Sequence, residues 1–345
     1  MDKLYLVIPC YNEEEVIGET AARLRSKMNA LIARRLIAED SRVVFVNDGS
    51  RDRTWTLIEE LHRADPLFAG INLARNRGHQ NALLAGLLTV KEHADVVISL
   101  DADLQDDIGA IDEFVDKYRQ GFDIVYGVRK AREKDTFFKR ATAQGFYRLM
   151  SMMGAELVYN HADYRLMSRR ALDGLAEFGE ANLFLRGIVP LIGYPSAIVE
   201  YERSERFAGE SKYPLKKMLA FALQGITSFS IKPIRMISAL GFFIFAVSLI
   251  MLGYFLSVHF TGHTVPGWTT IAISVWAIGG LQLLGIGVIG EYIGKTYLET
   301  KRRPKFIVER TLGVADGGLV SVGASGRAPG SLEVAGAAGG AARKA

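Results

Sequence analysis

The chain has 345 residues, 49% of them hydrophobic, and a formal net charge of +4. This length can bury a sizeable core and hold more than one domain, and the charge is too small to indicate a nucleic-acid partner. The single cysteine, Cys10, excludes an internal disulfide, and the acidic start MDKLYLVIPCYNEEE leaves no room for the apolar run of a signal peptide. We therefore expect the N-terminal half to lie in the cytoplasm.

The first half of the chain alternates short apolar runs with amphipathic stretches. Five runs are typical of buried strands, because they are rich in Val and Ile and end in turn or polar residues. They are LYLVIP (4–9), RVVFVND (42–48), GINLA (70–74), VVISLD (96–101) and DIVYGV (123–128). Amphipathic helices are predicted between them, at about residues 13–35, 53–64, 79–93 and 109–120.

Strands that alternate with helices predict an α/β domain whose mainly parallel sheet is covered on both faces. Ligands of such sheets bind beyond the carboxyl ends of the strands. Four of the strand ends carry polar sequences, which are CYNEE, NDGS, RNRGHQN and DADLQ. We therefore expect a substrate site where these four ends meet.

The second half has a different character, because residues 236–290 contain no Asp, Glu, Lys or Arg. Two stretches in it, Met236–Phe260 and Thr269–Gly290, are each long enough for a helix to cross a bilayer. By the positive-inside rule, the cations on both outer sides of this pair predict cytoplasmic flanks and an outward-facing loop. We predict a two-helix transmembrane hairpin over residues 236–293 in the cell (inner) membrane, with both termini cytoplasmic. A helical hairpin inside a soluble core is the alternative.

The segments around this hairpin complete the predicted organisation. Residues 211–235 mix cations with apolar residues, which is typical of helices that lie on a membrane surface. Residues 294–312 are predicted to be a cytoplasmic basic segment, and the Gly/Ala/Ser-rich tail 313–345 is predicted to be disordered. The sequence GIGVIG (285–290) matches the glycine pattern of dinucleotide-binding loops, but it lies inside the second apolar stretch, so we reject a nicotinamide oxidoreductase.

Asp101 and Asp103 directly follow a predicted buried strand. On an extended backbone their side chains point to the same side, about 7 Å apart. Two carboxylates so placed can hold a hard divalent cation that also binds phosphate oxygens, as Mg²⁺ does with nucleotides, and Gln105 can add a neutral oxygen. A solvated acidic loop is the alternative for this motif taken alone.

Three motifs in order, VIPCYNEEE, VNDGSRDRT and LDADLQDD, resemble glycosyltransferase family 2, the nucleotide-sugar transferases with a GT-A fold. The resemblance covers residues 4 to about 235 and implies a Rossmann-like GT-A catalytic domain at residues 1–210. Three further motifs narrow the resemblance to one group within this family. They are LARNRGHQNALLAGL, DYRLMSRRAL and RFAGESKYPLKKMLAFALQGITSFSIKP. With the two apolar spans, these look like the polyprenyl-phosphate glycosyltransferases, especially the bactoprenol glucosyltransferases, and more distantly dolichol-phosphate mannose synthase.

The resemblance implies roles for individual residues. The implied nucleotide-binding residues are Pro9, Tyr11, Glu13, Asp48, Asp101, Ala102 and Asp103. The implied ligands of Mg²⁺ or Mn²⁺ are Asp101, Asp103 and Gln105. The cations expected at the diphosphate or the acceptor phosphate are Arg129, Arg140, Arg206 and Lys212. The implied catalytic residues are Asp163, Arg206 and Lys212.

Asp163 occupies the position at which the family has a candidate general base. A phosphate monoester has a second pKa of about 6, so an acceptor of this kind is already largely a dianion at neutral pH. Because no proton then needs to be removed, Asp163 can instead orient the acceptor or an arginine, with Arg165 as an obvious neighbour. Both roles stay open at this point.

The resemblance implies a membrane-anchored, inverting glycosyltransferase that moves a sugar to polyprenyl (undecaprenyl) phosphate for cell-envelope glycosylation, with glucose from UDP-glucose as the leading choice. Alternatives are the same reaction with N-acetylglucosamine, mannose or aminoarabinose, or an inactive membrane scaffold of the same fold. The implied partners are the nucleotide-sugar donor, the polyprenyl-phosphate acceptor and membrane lipids. A second copy of the chain in a homo-oligomer is left open.

Overall fold

The centre of the fold is an eight-stranded sheet, formed within the residues that the structure describes. The computed structural model describes residues 1–130, 161–180, 183–202, 232–260 and 267–314. The strands are β1 (Leu4–Cys10), β2 (Arg42–Asn47), β3 (Phe68–Leu73), β4 (Val96–Ser99), β5 (Ile124–Arg129), β6 (His161–Ser168), β7 (Ser196–Tyr201) and β8 (Val308–Leu312). Their order across the sheet is β7-β5-β6-β4-β1-β2-β3-β8.

Most neighbouring strands run parallel. β1 pairs in parallel with β2 and β4, β2 with β3, and β5 with β7. Only β6 and β8, among the described strands, are antiparallel to their neighbours. The predicted α/β domain with a mainly parallel sheet is therefore confirmed.

Helices cover both faces of this sheet. In chain order the described helices are α1 (Ile17–Ala33), α2 (Thr54–Ala64), α3 (His79–Val90), α4 (Ile111–Arg119), α5 (Arg169–Ala176), α6 (Leu185–Leu191), α7 (Lys232–Phe260) and α8 (Trp268–Thr300). Apolar side chains of α1, α2 and α4 join the core on one face, and those of α3, α5 and α6 join the core on the other.

β1 lies between these two cores, and all of its residues are buried. Leu4, Leu6 and Ile8 belong to the core under α1, while Tyr5 and Val7 belong to the core under α3. Successive side chains of a strand point to opposite faces, so a continuous apolar run requires apolar partners on both sides.

The structure differs from the predicted bounds beyond the end of β4. This strand ends at Ser99, and residues 102–103 lie in a turn. Leu104 has a φ of 56°, in the left-handed region that no strand uses. The expectation that Asp101 and Asp103 lie on extended backbone is therefore wrong, because the chain turns directly after the strand.

β8 is an element that the sequence analysis did not predict, and it lies inside the predicted basic segment 294–312. It pairs antiparallel with β3, with Val308 opposite Leu73 at the carboxyl end of that strand. Phe306 and Val308 pack against the core under α3, and the Lys305 ammonium donates to the carbonyl of Phe178 at 3.0 Å. The chain after α8 therefore returns to the sheet and covers its β3 edge.

The two long helices α7 and α8 contact each other. Several of their large apolar side chains are more than half exposed, among them Met236, Phe242, Phe243, Ile250, Ile271, Val275, Leu283, Ile286 and Ile293. Within the part of the chain that the structure describes, no helix combines the length and the apolar character needed to cross a membrane. The transmembrane hairpin predicted over 236–293 is therefore not shown.

Two further predictions concern the second half of the chain. GIGVIG (285–290) lies inside α8, so these residues do not form the strand-to-helix turn of a dinucleotide-binding loop. Residues 211–231 of the predicted surface helices lie outside the described residues. So does the predicted tail from residue 315 onwards.

Candidate active site

The carboxyl ends of β1, β2 and β4 lie side by side at one edge of the sheet, here called the rim. Pro9 lies in β1, one residue before its end, and the exposed side chain of Tyr11 follows directly. The backbone N–H of Glu13 donates to the hydroxyl of Thr54 at 2.9 Å, which ties the loop after β1 to the start of α2. The predicted nucleotide-binding residues of the first motif therefore belong to a surface shared with the loop after β2.

Asp48 lies at the end of β2 and is buried. One of its oxygens accepts from the backbone N–H of Arg77 at 2.7 Å and the other from that of Gly78 at 2.8 Å. Burial raises the pKa of Asp48, while these two hydrogen bonds oppose the rise. The next residue, Gly49, has a φ of 64°, and a Cβ there would collide with the backbone of Asn76. Asp48 and Gly49 thus fix the loop between β3 and α3 against the rim.

The Asp101–Asp103 turn is anchored from α1. The hydroxyl of Thr20 donates to the carbonyl of Ala102 at 2.8 Å, and the Ala102 side chain is part of the core. The carboxylate of Asp103 accepts from the backbone N–H of Gln105 at 3.2 Å, and Gln105 itself is buried. The turn therefore holds the three predicted metal ligands on one short, well-anchored segment.

Asp101 has an unfavourable electrostatic environment for a carboxylate. Burial raises its pKa to about 6, and repulsion from Asp106, Asp163 and Asp103 adds to the rise, although His79 opposes it. Part of the side chain stays exposed, at 34% of its surface. Its ionised form therefore needs a positive partner that can approach from the solvent side.

A divalent cation fits this environment. Among the described residues, no three His, Cys, Asp or Glu side chains are arranged to hold a metal ion. Mg²⁺ is usually bound through one or two carboxylates together with water and substrate phosphates, so Asp101 and Asp103 suffice as protein ligands. The charge of such an ion would offset the repulsion that raises the pKa of Asp101.

Asp163 lies in β6, next to β4, and is surrounded by donors. It accepts from the guanidinium of Arg165 at 2.6 Å and from that of Arg186 at 3.2 Å. The Nε2 atom of His79 lies 3.6 Å from an oxygen of Asp163 and 3.6 Å from an oxygen of Asp101. The structure therefore joins Asp163 to the Asp101–Asp103 turn through His79, and it brings in Arg186 from α6.

These neighbours decide the protonation state of Asp163. Burial by itself raises the pKa of Asp163, but the contact with His79 and the charges of Arg186 and Arg165 outweigh it and hold the pKa well below its ordinary value. A general base works best when its pKa is close to the working pH. A lowered pKa favours the orienting role over that of a general base, and both roles of Asp163 stay predictions.

Arg129 is the last residue of β5 and is held by two side chains. Its Nε donates to the hydroxyl oxygen of Tyr201 at 3.2 Å, and its Nη2 lies 3.5 Å from an oxygen of Asp106. The Tyr201 hydroxyl donates to the same Asp106 oxygen at 2.5 Å. The other Asp106 oxygen is buried and has no hydrogen-bond partner among the residues that the structure describes. This cluster fixes Arg129 within electrostatic range of Asp101.

Three predicted site residues belong to segments of the chain other than those that the structure describes. Arg140, Arg206 and Lys212 lie outside the described residues. Their assigned roles at the phosphates, and in catalysis for Arg206 and Lys212, therefore stay predictions.

Sequence reasoning missed four residues of the site, which are His79, Asp106, Arg186 and Tyr201. His79 had a usable signal, because it stands in the polar sequence at the end of a predicted strand. Arg186 and Tyr201 had none, since only the fold brings α6 and β7 to the rim.

Comparison with known proteins finds relatives that align over most of this chain. The family model for glycosyl transferase family 2 matches residues 5–175. An uncharacterized glycosyltransferase of Bacillus subtilis, YkoT, is 56% identical over 89% of this chain and 91% of its own length. A prophage bactoprenol glucosyl transferase homolog of Escherichia coli is 39% identical over 89% of this chain and 99% of its own length.

A bactoprenol glucosyl transferase of Shigella phage SfV is also 39% identical, over 89% of this chain and 98% of its own length. Among solved structures, glucosyl-3-phosphoglycerate synthase from Mycobacterium tuberculosis matches 66% of this chain and 78% of its own at 16% identity and a TM-score of 0.40. The family model and the long alignments to these relatives lead to one conclusion. The chain belongs to glycosyl transferase family 2 and is a glycosyltransferase with a GT-A-like fold.

Proposed function

We propose that the protein transfers a hexose from a nucleotide sugar to the phosphate of a membrane polyprenol, with glucose from UDP-glucose as donor and undecaprenyl phosphate as acceptor. One observation carries the proposal. The rim brings the crowded carboxylate Asp101 within electrostatic range of both Arg129 and Arg186. Such a site suits a metal-bound diphosphate beside a second anionic group. Two relatives, a bactoprenol glucosyl transferase and a homolog of such an enzyme, carry names that support a glucosyl donor and a bactoprenol acceptor.

In this mechanism the protein binds two anions and orients them. Asp101 and Asp103 would hold Mg²⁺ or Mn²⁺, with Gln105 beside them, and the bound ion would make the nucleoside diphosphate a better leaving group. The residues at the ends of β1 and β2 would bind the nucleoside. Arg129, fixed by Tyr201 and Asp106, would neutralise phosphate charge.

The acceptor phosphate attacks the anomeric carbon on the side opposite the departing diphosphate, so the sugar configuration inverts. A phosphate monoester with a second pKa of about 6 is largely a dianion at neutral pH and needs no general base. The depressed pKa of Asp163 agrees with this, because a carboxylate that stays ionised next to Arg165 and Arg186 is suited to orientation.

Membrane anchoring is the second part of the proposal. Residues 236–290 carry no charged side chain, and cations flank them on both sides. The pairing of β8 with β3 returns the chain after α8 to the catalytic domain. The chain before α7 and the chain after α8 would then lie on the same side of the membrane, which favours an even number of membrane crossings. Only seven residues, 301–307, lie between the end of α8 at Thr300 and Val308 beside the rim, which makes eight Cα–Cα steps. An extended segment of that length reaches at most about 28 Å, which would keep the rim near the membrane surface.

A different donor sugar is the leading alternative, because none of the described residues at the rim distinguishes glucose from N-acetylglucosamine, mannose or aminoarabinose. An inactive scaffold is disfavoured. The chain carries the buried carboxylates Asp48 and Asp163 and the crowded Asp101, although burying carboxylates costs stability.

The donor and the acceptor can be identified in one experiment. Membranes that contain the protein would be incubated with a panel of radiolabelled nucleotide sugars, and the label would be followed into the lipid phase. We expect label from UDP-glucose in a lipid that releases its sugar on mild acid treatment. Labelling from another nucleotide sugar would correct the donor, and no lipid labelling from any of them would contradict the proposal.

The metal assignment is tested by Asp103→Asn. This change keeps the size of the side chain and removes a ligand charge, so lipid-linked product should fall by about 100-fold or more while the protein still folds. Activity would be measured with Mg²⁺ or Mn²⁺ and with a chelator. Activity that resists the chelator would exclude the metal.

A further inference from the structure

Arg186 has a contact pattern that differs from that of its neighbour Arg165. Its Nη2 donates to one oxygen of Asp163 at 3.2 Å, and its Nε lies 3.4 Å from the other. The side chain of Arg186 is 34% exposed, whereas that of Arg165 is 1% exposed. One edge of the Arg186 guanidinium is therefore held by Asp163, and about a third of the side chain is open to solvent.

The charges of this cluster do not balance. Asp163 supplies one negative charge, and it already pairs with the buried Arg165 at 2.6 Å. Arg186 adds a second positive charge. His79 also approaches Asp163 and contributes no negative charge. The nearby Asp101 would have its charge compensated once a metal ion is bound. The excess positive charge thus lies on the exposed Arg186.

We propose that Arg186 binds a phosphate group of a substrate, and that Asp163 is the positioning residue that holds the Arg186 guanidinium in place. This inference rests on the proposed function, whose two substrates both carry phosphate. A guanidinium has five N–H donors in a rigid fork, so the Nε and Nη2 bonds to Asp163 leave donors for a second anion. The phosphate belongs either to the acceptor or to the diphosphate of the donor.

The test uses full-length protein with Arg186→Gln, Arg186→Lys and the matched control Arg63→Gln. Arg63 is an exposed arginine of α2 whose ion pair with Glu59 spans 3.7 Å. The affinity for UDP-glucose would be measured by calorimetry, and KM would be measured for farnesyl phosphate, a water-soluble polyprenyl phosphate. Thermal unfolding would show that each variant is folded.

We expect Arg186→Gln to weaken one of the two constants by about 10-fold or more, because a hydrogen-bonded charge pair is lost. Arg186→Lys should recover part of this loss, since it keeps the charge without the fork. A higher KM for farnesyl phosphate assigns Arg186 to the acceptor, and a weaker affinity for UDP-glucose assigns it to the donor. If neither constant differs from that of the control by more than about threefold, Arg186 is not a phosphate ligand.

The positioning role of Asp163 is tested by a double-mutant cycle. If Asp163 acts through Arg186, then Asp163→Asn should weaken the same constant, and the double variant should be little worse than Arg186→Gln alone. Fully additive losses would overturn the positioning role.

A failure of the proposed function would look different. Wild-type protein would then not transfer glucose to farnesyl phosphate at all. The affinity for UDP-glucose would still decide whether Arg186 binds a phosphate of the donor.

Discussion

Asp101 and Asp163 lie in the same site and have opposite pKa shifts. Burial and three neighbouring carboxylates raise the pKa of Asp101 to about 6. Burial also acts on Asp163, but His79 and two arginines hold its pKa well below the ordinary value. The two carboxylates therefore differ in their surroundings, since Asp163 contacts two arginines whereas Asp101 lies near three other carboxylates.

At the same scale, the hydroxyl of Tyr201 connects Arg129 to Asp106. Tyr201→Phe removes that hydroxyl, so the Arg129 guanidinium should lose part of its fixed orientation. We expect kcat/KM to fall by about 10-fold, equivalent to about 1.4 kcal/mol, with the fold intact. Tyr194→Phe is the matched control, because the Tyr194 ring stacks on Arg170 and its ring is kept. Equal activities in the two variants would argue against this role of Tyr201.

At the scale of elements, Asp123 lies directly before β5 and links this strand to β6 and α5. Its carboxylate accepts from the Ser168 hydroxyl at 2.8 Å and from Nε of Arg170 at 2.6 Å. Ser168 ends β6 and also caps α5, where its hydroxyl accepts from the backbone N–H of Ala171. The hydrogen bond from Arg170 lowers the pKa of Asp123, and the one from Ser168 adds to it against the effect of burial. One carboxylate thus sets the junction of β5, β6 and α5.

This junction makes a prediction about pH. A carboxyl group whose pKa is lowered on folding stabilises the folded state above its unfolded pKa of about 3.9, and this stability is lost as the pH falls through the folded pKa. Asp123→Asn should cost about 1–3 kcal/mol at pH 7 and progressively less at lower pH. Thermal unfolding of both proteins between about pH 7 and pH 3 would measure this. A difference that stays constant across that range would contradict it.

β8 offers a second test at this scale. A chain that ends after Lys305 loses β8 and the apolar contacts of Phe306, Val308 and Val314, and it leaves the edge of β3 open. We expect a lower melting temperature and more aggregation. A chain that ends after Val314 keeps every described contact and serves as the control. Identical melting and solubility in the two truncations would show that β8 adds nothing to the domain.

At the scale of the whole molecule, the β3–β8 pairing links the topology of the second half to that of the first. If α7 and α8 cross the membrane as proposed, Arg302 and the catalytic domain lie on the cytoplasmic side, and His263 lies outside. In a Cys10→Ser background, single cysteines at positions 263 and 302 would be treated with an impermeant thiol reagent in intact cells. We expect labelling at 263 only. The reverse pattern would refute the proposed orientation.

Local patterns were sufficient for much of this molecule. The Val- and Ile-rich runs predicted the strands β1 to β5, because a strand buried on both faces has to be apolar throughout. Alternation with helices predicted the parallel sheet, and the rule that ligands bind at carboxyl strand ends placed Asp48 and Asp101 at one rim. Arg165 was also expected as a neighbour of Asp163, although the strand β6 that carries both residues was not predicted.

Only the tertiary structure decided the remaining features. The sequence of β8 has only a weak strand pattern. The strand forms because the edge of β3 offers backbone groups that need partners, and β3 lies more than 230 residues earlier in the chain. Arg186 and Tyr201 likewise reach Asp163 and Asp106 from distant segments. Contacts of that kind leave no periodic signal, since they depend on how helices and strands pack. The sequence by itself thus determined the strands β1 to β5, the helices between them and the acidic rim, and packing determined β8 and which cations face the rim.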